Sequence, residues 1–248
     1  MPHWLLPILA APFIGSFLGL VIRRLPAGRN IVGGRSRCES CGATLAATEL
    51  VPILSWAWSR GRCRSCGANL GWFYPGVEFA ALAVAVVTVG FDADQPIRLW
   101  LDCALGWTLL TLAWIDIDHL LLPDILTLPL LAAGLAVTAW EISDLPIDHA
   151  IAAAFAYLLF RTVDLAYARW RGRDGLGQGD AKLVAAGGAW LGLYALSWLI
   201  FIAAIFALAA VGVAWLLGRH FNRASAIPFG AALALAIFIL RICNLAQG

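Results

Sequence analysis

The sequence predicts an all-α polytopic membrane protein with about eight transmembrane helices and a small cytoplasmic loop domain that binds zinc through four cysteines. Three observations carry that expectation. Hydrophobic residues make up 62% of the 248 and charged residues only 13%, about half the charged fraction of a soluble domain. Apolar runs of about 20 residues recur, the length that crosses a hydrocarbon core of roughly 30 Å. Lys and Arg gather in alternate loops, as they do on the cytoplasmic side of membrane proteins. Long continuous runs satisfy their own backbone hydrogen bonds as helices. Strands of a membrane barrel would alternate apolar and polar residues, and no such alternation is visible.

The first span covers about 4–22. No basic residue precedes it, whereas Arg23 and Arg24 follow. That order is the reverse of a secretory signal, so it reads as a retained helix with its N-terminus outside. A polar segment, 23–73, holds eight Arg against Glu39 and Glu49. The second span is about 74–91, followed by a short turn with Asp92 and Asp94. Spans three and four are about 98–118 and 121–140, and an acidic turn holds Glu141, Asp144 and Asp148. The fifth span is about 149–168, and a basic, Gly-rich loop runs from Arg169 to Asp180. The stretch 181–218 is too long for one span and is expected to turn near Gly192–Ser197. Arg219, His220 and Arg223 make a basic turn before a last span of about 226–243. With eight spans, 14 of the 17 Lys and Arg fall on one side and the acidic turns on the other. Both termini are then periplasmic.

Cys38 and Cys41, and Cys63 and Cys66, form two Cys-x-x-Cys pairs, each followed by glycine, Gly42 and Gly67. Such a turn aims two thiolates at one point, and two of them give a tetrahedral four-sulfur zinc site. A polar loop this small needs help to fold, so the metal is expected to be structural. Cys103 and Cys243 lie in apolar runs and are expected to be buried small hydrophobes.

Carboxylates in or beside spans are costly and call for an explanation. Asp102 is expected at the interface, and Asp164 is expected to pair with Arg161 one turn away. Asp116, in Trp-Ile-Asp-Ile-Asp-His, and Asp180, in Gly-Leu-Gly-Gln-Gly-Asp-Ala-Lys, fall at the same end of separate spans. Two close carboxylates do not both ionise readily: one keeps a proton while the other activates water. That is the minimum equipment of an aspartyl protease. Gly177 and Gly179 permit close approach of an extended chain beside Asp180.

Several segments together resemble the type IV prepilin peptidases, membrane aspartyl peptidases with a Gly-x-Gly-Asp motif. They are Gly15-Ser16-Phe17-Leu18, the two cysteine pairs, Pro52-Ile53-Leu54-Ser55-Trp56 and Tyr74-Pro75-Gly76-Val77-Glu78. Ile115-Asp116-Ile117-Asp118 with Leu122-Pro123-Asp124, and Gly177-Gln178-Gly179-Asp180-Ala181-Lys182, complete the set. The resemblance implies catalytic aspartates at Asp116 and Asp180, with Gly177, Gly179, Lys182, Asp118 and Asp124 as active-site motif residues. It also implies cleavage of a short basic leader after Gly from pilin or pseudopilin precursors. N-methylation with S-adenosylmethionine is implied to follow. Gly19 stands where the family usually has Asn, and Glu49-Leu50-Val51 replace a customary acid and Asn.

The expected organisation is a first transmembrane helix (1–22), a cytoplasmic four-cysteine zinc domain associated with methyl transfer (23–73) and a transmembrane peptidase core (74–248). The expected setting is the bacterial inner membrane, with the precursor and lipid as partners and no nucleic acid. A transporter or proton pathway with a cytoplasmic zinc module is the alternative class.

Overall fold

The computed structural model describes residues 2–31, 36–38, 40–141, 147–171, 177–218 and 227–243. The basic turn at Arg219, His220 and Arg223, most of the Gly-rich loop before Gly177, and Asp144 lie outside the described residues. Among the described residues the regular structure is helical, apart from two single-bridge turns. The chain divides into two compact units, Met1–Trp107 and Thr108–Gly248.

In the first unit, α1 (Leu5–Arg24) packs along α3 (Phe73–Asp92). The contact is close because small residues line it. A Cβ on Gly15 would lie 2.7 Å from the Glu78 backbone, and one on Gly19 2.9 Å from the Tyr74 ring. The glycine at 19 therefore makes room for Tyr74. Between these helices lie a 3-10 turn (Ala47–Leu50), the short α2 (Leu54–Trp58) and the cysteine turns. Glu49 accepts the Ala46 N–H (2.8 Å) and faces Arg64 at 3.8 Å, so the acid at 49 fastens this loop. The fourth helix, α4 (Pro96–His119), begins here and continues into the second unit. Asp102, in the second turn of α4, is fully buried within the protein. Arg98 lies 3.5 Å from Asp102 and 3.3 Å from Asp92, and such pairing is the condition for burying carboxylates.

In the second unit, α7 (Gln178–Leu191) is the hub, buried at every residue from Leu183 to Leu191 and packed against α5 (Asp124–Glu141), α6 (Ile147–Arg171), α8 (Ala195–Leu216) and α9 (Phe229–Ile242). Small residues allow this. A Cβ on Gly188 would lie 2.8 Å from the α6 backbone at Ala152, and one on Gly187 2.6 Å from Leu199 of α8. The turn between α7 and α8 falls at Gly192 (φ +80), inside the expected 192–197, and Asp148 secures it by accepting the Leu193 N–H (3.0 Å).

Helices stand at all eight expected span positions, yet six are long and apolar enough to cross by themselves. The other two, α7 and α9, have 14 residues each, about 21 Å of rise against a core of roughly 30 Å. The apolar stretch runs on past α7, but Gly192 (φ +80) ends that helix, and α9 starts only after Pro228. The three basic residues outside the clustered loops are all paired: Arg98 with Asp92 and Asp102, Arg161 with Asp164 (2.9 Å), and Arg241 with both oxygens of Glu141 (2.9 and 3.0 Å). The expected Arg161–Asp164 pair is thus formed. Cys103 is buried as expected, whereas Cys243 is exposed, because α9 stops at Ile242 and leaves it outside the packed helix.

Candidate active site and cysteine cluster

Asp116 lies one turn before the end of α4 and is 5% exposed. Its Oδ2 accepts the N–H of Ala231, in the first turn of α9, at 2.9 Å, and the Gly230 N–H supports the same carboxylate. The first N–H groups of a helix have no partner within it and carry partial positive charge. Asp116 therefore caps α9 from another helix, and α9 fixes its orientation. The approach needs glycine at 230, since a Cβ there would sit 3.0 Å from Asp116 Oδ2 and 2.8 Å from Leu122.

After α4, Leu120 takes φ +53, uncommon for a leucine, and its N–H bonds the Asp116 carbonyl at 2.9 Å. This reversal tucks Leu122 inward before Pro123 and Asp124 start α5. Leu122 then lies against both glycines that flank the site: a Cβ on Gly179 would be 2.7 Å from it.

Asp180 is the third residue of α7, after Gly177 at the N-cap. Its Oδ2 lies 3.3 Å from where a Gly177 Cβ would sit, so the carboxylate lies back against the start of α7. Leu122 packs against Gly179, the neighbour of Asp180, and against Gly230, which touches Asp116, so the two acids border one side chain from different helices. Of the other motif residues, Lys182 forms an ion pair with Asp124 at 2.5 Å, tying the second turn of α7 to the first residue of α5. Gly177 lies exposed at the mouth, and Asp118 is exposed, unlike Asp116.

The four sulfurs of Cys38, Cys41, Cys63 and Cys66 all lie within 4.8 Å of one another, and those of Cys38 and Cys66 are 3.9 Å apart. A tetrahedral zinc–thiolate site requires sulfur separations of about 3.8 Å, so the set fits the metal. The two turns are built alike. The N–H of Cys38 bonds Ala43 O and that of Cys63 bonds Ala68 O, both at 2.9 Å. Gly42 and Gly67 take φ +71 and +70, the left-handed conformation that closes each turn. The thiols differ: the backbone N–H groups of Cys41 and Ser40 lower Cys38 to about 6, whereas Cys66, despite the Ala68 N–H that lowers it, is pushed up to about 11 by Cys41 and by burial.

Residues 9–91 match the Bacterial Peptidase A24 N-terminal domain, and residues 103–213 match the Type IV leader peptidase family. A prepilin leader peptidase/N-methyltransferase of Aeromonas salmonicida (strain A449) is 35% identical over 96% of this chain and 89% of its own length. The chain belongs to the type IV leader peptidase family. Relatives of the same name are 33% identical in Dichelobacter nodosus, over 90% of this chain and 85% of the relative, and 40% identical in Burkholderia pseudomallei (strain K96243), over 85% and 67%. No solved structure matches the chain. The peptidase match includes Asp116, Asp180, Asp124 and Lys182 and stops before α9.

The sequence places a last span at about 226–243 but gives no role to Gly230. A signal was present in Pro228-Phe229-Gly230, a Pro at a helix entry followed by a glycine. Only the fold reveals that this glycine faces Asp116.

Proposed function

We propose that this chain is a prepilin leader peptidase and N-methyltransferase of the bacterial inner membrane, with Asp116 and Asp180 as its catalytic pair. Family membership supports cleavage and methylation of prepilins. What supports the residue assignment is that Asp116 and Asp180, on different helices, border the same Leu122 side chain, which packs against Gly179 and Gly230. In this reading the precursor's apolar stem stays in the membrane as a helix. Its backbone enters extended beside Gly177 and Gly179, just after the leader's Gly. The carboxylates share one proton: one takes a proton from water, and the other donates to the carbonyl oxygen or leaving amine. The α9 amides hold Asp116 in register, and the Lys182–Asp124 pair holds α7 against α5. Asp118 borders the site without entering it.

The active end faces the cytoplasm, and both termini are periplasmic. The region 23–73 is the four-cysteine domain, between the first transmembrane helix (1–22) and the peptidase core (74–248). Cys38, Cys41, Cys63 and Cys66 would hold a structural zinc, whose role is to crosslink the two turns. S-adenosylmethionine is the methyl donor this reading implies, and no residue is assigned to it. The substrates are pilin or type II secretion pseudopilin precursors. A proton pathway would place acids near the midplane, whereas Asp116 and Asp180 stand close to helix ends.

The test is cleavage of a full-length prepilin by the solubilised protein, read as a mobility shift. Asp116→Asn and Asp180→Asn each lower the rate by about 10²–10⁴-fold with unchanged thermal stability. Full activity of either variant removes that residue from the chemistry.

A further inference from the structure

The loop domain carries an apolar patch that the peptidase chemistry does not use. Leu54 (67% exposed) and Trp58 (83%) are four residues apart on α2 and share its outer face. Leu50, Val51 and Trp72 are exposed beside them. Water-facing loops are normally polar, and a contiguous patch of this kind marks a contact surface.

The height of this patch relative to the membrane follows from two anchors. The helix α3 has 20 residues, about 30 Å of rise, which equals the hydrocarbon thickness and puts Phe73 close to the boundary. Trp72, the preceding residue, has its ring 4.1 Å from that of Trp56 in α2, and Trp56 Nε1 donates to Gly71 O at 2.9 Å. The second anchor lies deeper. Glu78 is buried, five residues beyond Phe73 in α3, and accepts the Ile53 N–H at 2.7 Å. Its side chain leans toward the helix start, so the bond is met about one turn inside the boundary or just above it. Ile53 adopts φ +60 and ψ −54 to make it, and Leu54 N–H bonds Pro52 O. This is a γ-turn of the rare, strained form, and the Glu78 bond holds it in place. The segment thus dips toward the bilayer rather than rising away from it.

We propose that residues 50–58, with Trp72, form an interfacial membrane anchor. The Leu54–Trp58 face of α2 lies in the boundary between headgroups and acyl chains, and the exposed Arg60 and Arg62 contact anionic lipid phosphates. Tryptophan suits that layer, with an apolar ring and a polar N–H. The anchor holds the cysteine turns against the membrane surface. It rests on α3 being a span and not on the peptidase reading, so either can fail alone.

The test uses the full chain in nanodiscs of phosphatidylcholine and phosphatidylglycerol. The Trp58 contribution is the difference in emission between the wild-type protein and Trp58→Phe, repeated with Trp58→Tyr. The anchor predicts a blue-shifted Trp58 component, quenched by lipids brominated high on the acyl chain and insensitive to aqueous iodide. Leu54→Glu reverses that preference. A red-shifted component quenched by iodide and untouched by bromolipid overturns the proposal. Iodide quenching that disappears only when prepilin is added also overturns it and makes the patch a substrate surface.

Discussion

Replacing Gly230 by alanine tests whether α9 positions the catalytic carboxylate. The added Cβ would lie 3.0 Å from Asp116 Oδ2 and 2.8 Å from Leu122 Cδ1. The carboxylate is buried and capped on that side, so relief comes from moving the first turn of α9 away. That movement lengthens the 2.9 Å bond from Ala231 N–H. A hydrogen bond to a charged group contributes about 1.5–3 kcal/mol. At about 1.4 kcal/mol per factor of ten, its loss lowers the cleavage rate by roughly 10- to 150-fold if the bond matters fully in the transition state. The assay is single-turnover cleavage of prepilin in detergent, with kcat and KM separated and methylation of a pre-cleaved pilin as control. The expected outcome is a fall in kcat at nearly constant KM, with methylation retained. Leu122→Ala in the same chain separates the two contacts, because it removes the clash with Cδ1 but leaves the one with Asp116. Full recovery in the double variant, or wild-type kcat in Gly230→Ala, would refute the positioning role.

Three further outcomes follow from the geometry. Cys38→Ala or Cys63→Ala removes a ligand with a buried sulfur; purified protein should fall from one zinc per chain to a small fraction by elemental analysis, with cleavage less affected than methylation. Gly134→Ala drives a Cβ to 2.6 Å from the Trp190 ring, whose Nε1 bonds Leu130 O at 2.9 Å. Overpacking of this kind costs about 1–3 kcal/mol, and a thermal melt should shift down by about 2–4 °C for each kcal/mol. Glu141→Gln removes the carboxylate that pairs with the buried Arg241, but Glu141 itself is exposed. The cost is then nearer that of a partly solvated pair, about 1 kcal/mol, so the melt should drop by about 2–4 °C.

The sequence by itself determined the helical membrane class, the places of the helices and the cysteine cluster, and it singled out Asp116 and Asp180 as candidates. Those features are local or periodic. A 20-residue apolar run, a Cys-x-x-Cys-Gly turn or a Gly-x-Gly-Asp motif carries its physical reason within a few residues, and the positive-inside rule depends only on counting. The tertiary structure decided everything that joins distant segments. Hydropathy along the chain does not show that Gly192 ends α7 or that α9 starts only after Pro228, which leaves each with 14 residues. Arg98 pairs locally with Asp102, four residues on in α4, but the turn from α3 also brings Asp92 to the same guanidinium. Gly230 lies 114 residues from Asp116 in the chain, and no spacing rule connects them. Their contact follows from the packing of α9 on α7, the left-handed turn at Leu120 and the absence of a Cβ at 230. Ile53 and Glu78 are the same case in the first unit: two ordinary residues that a single 2.7 Å hydrogen bond makes into an anchor.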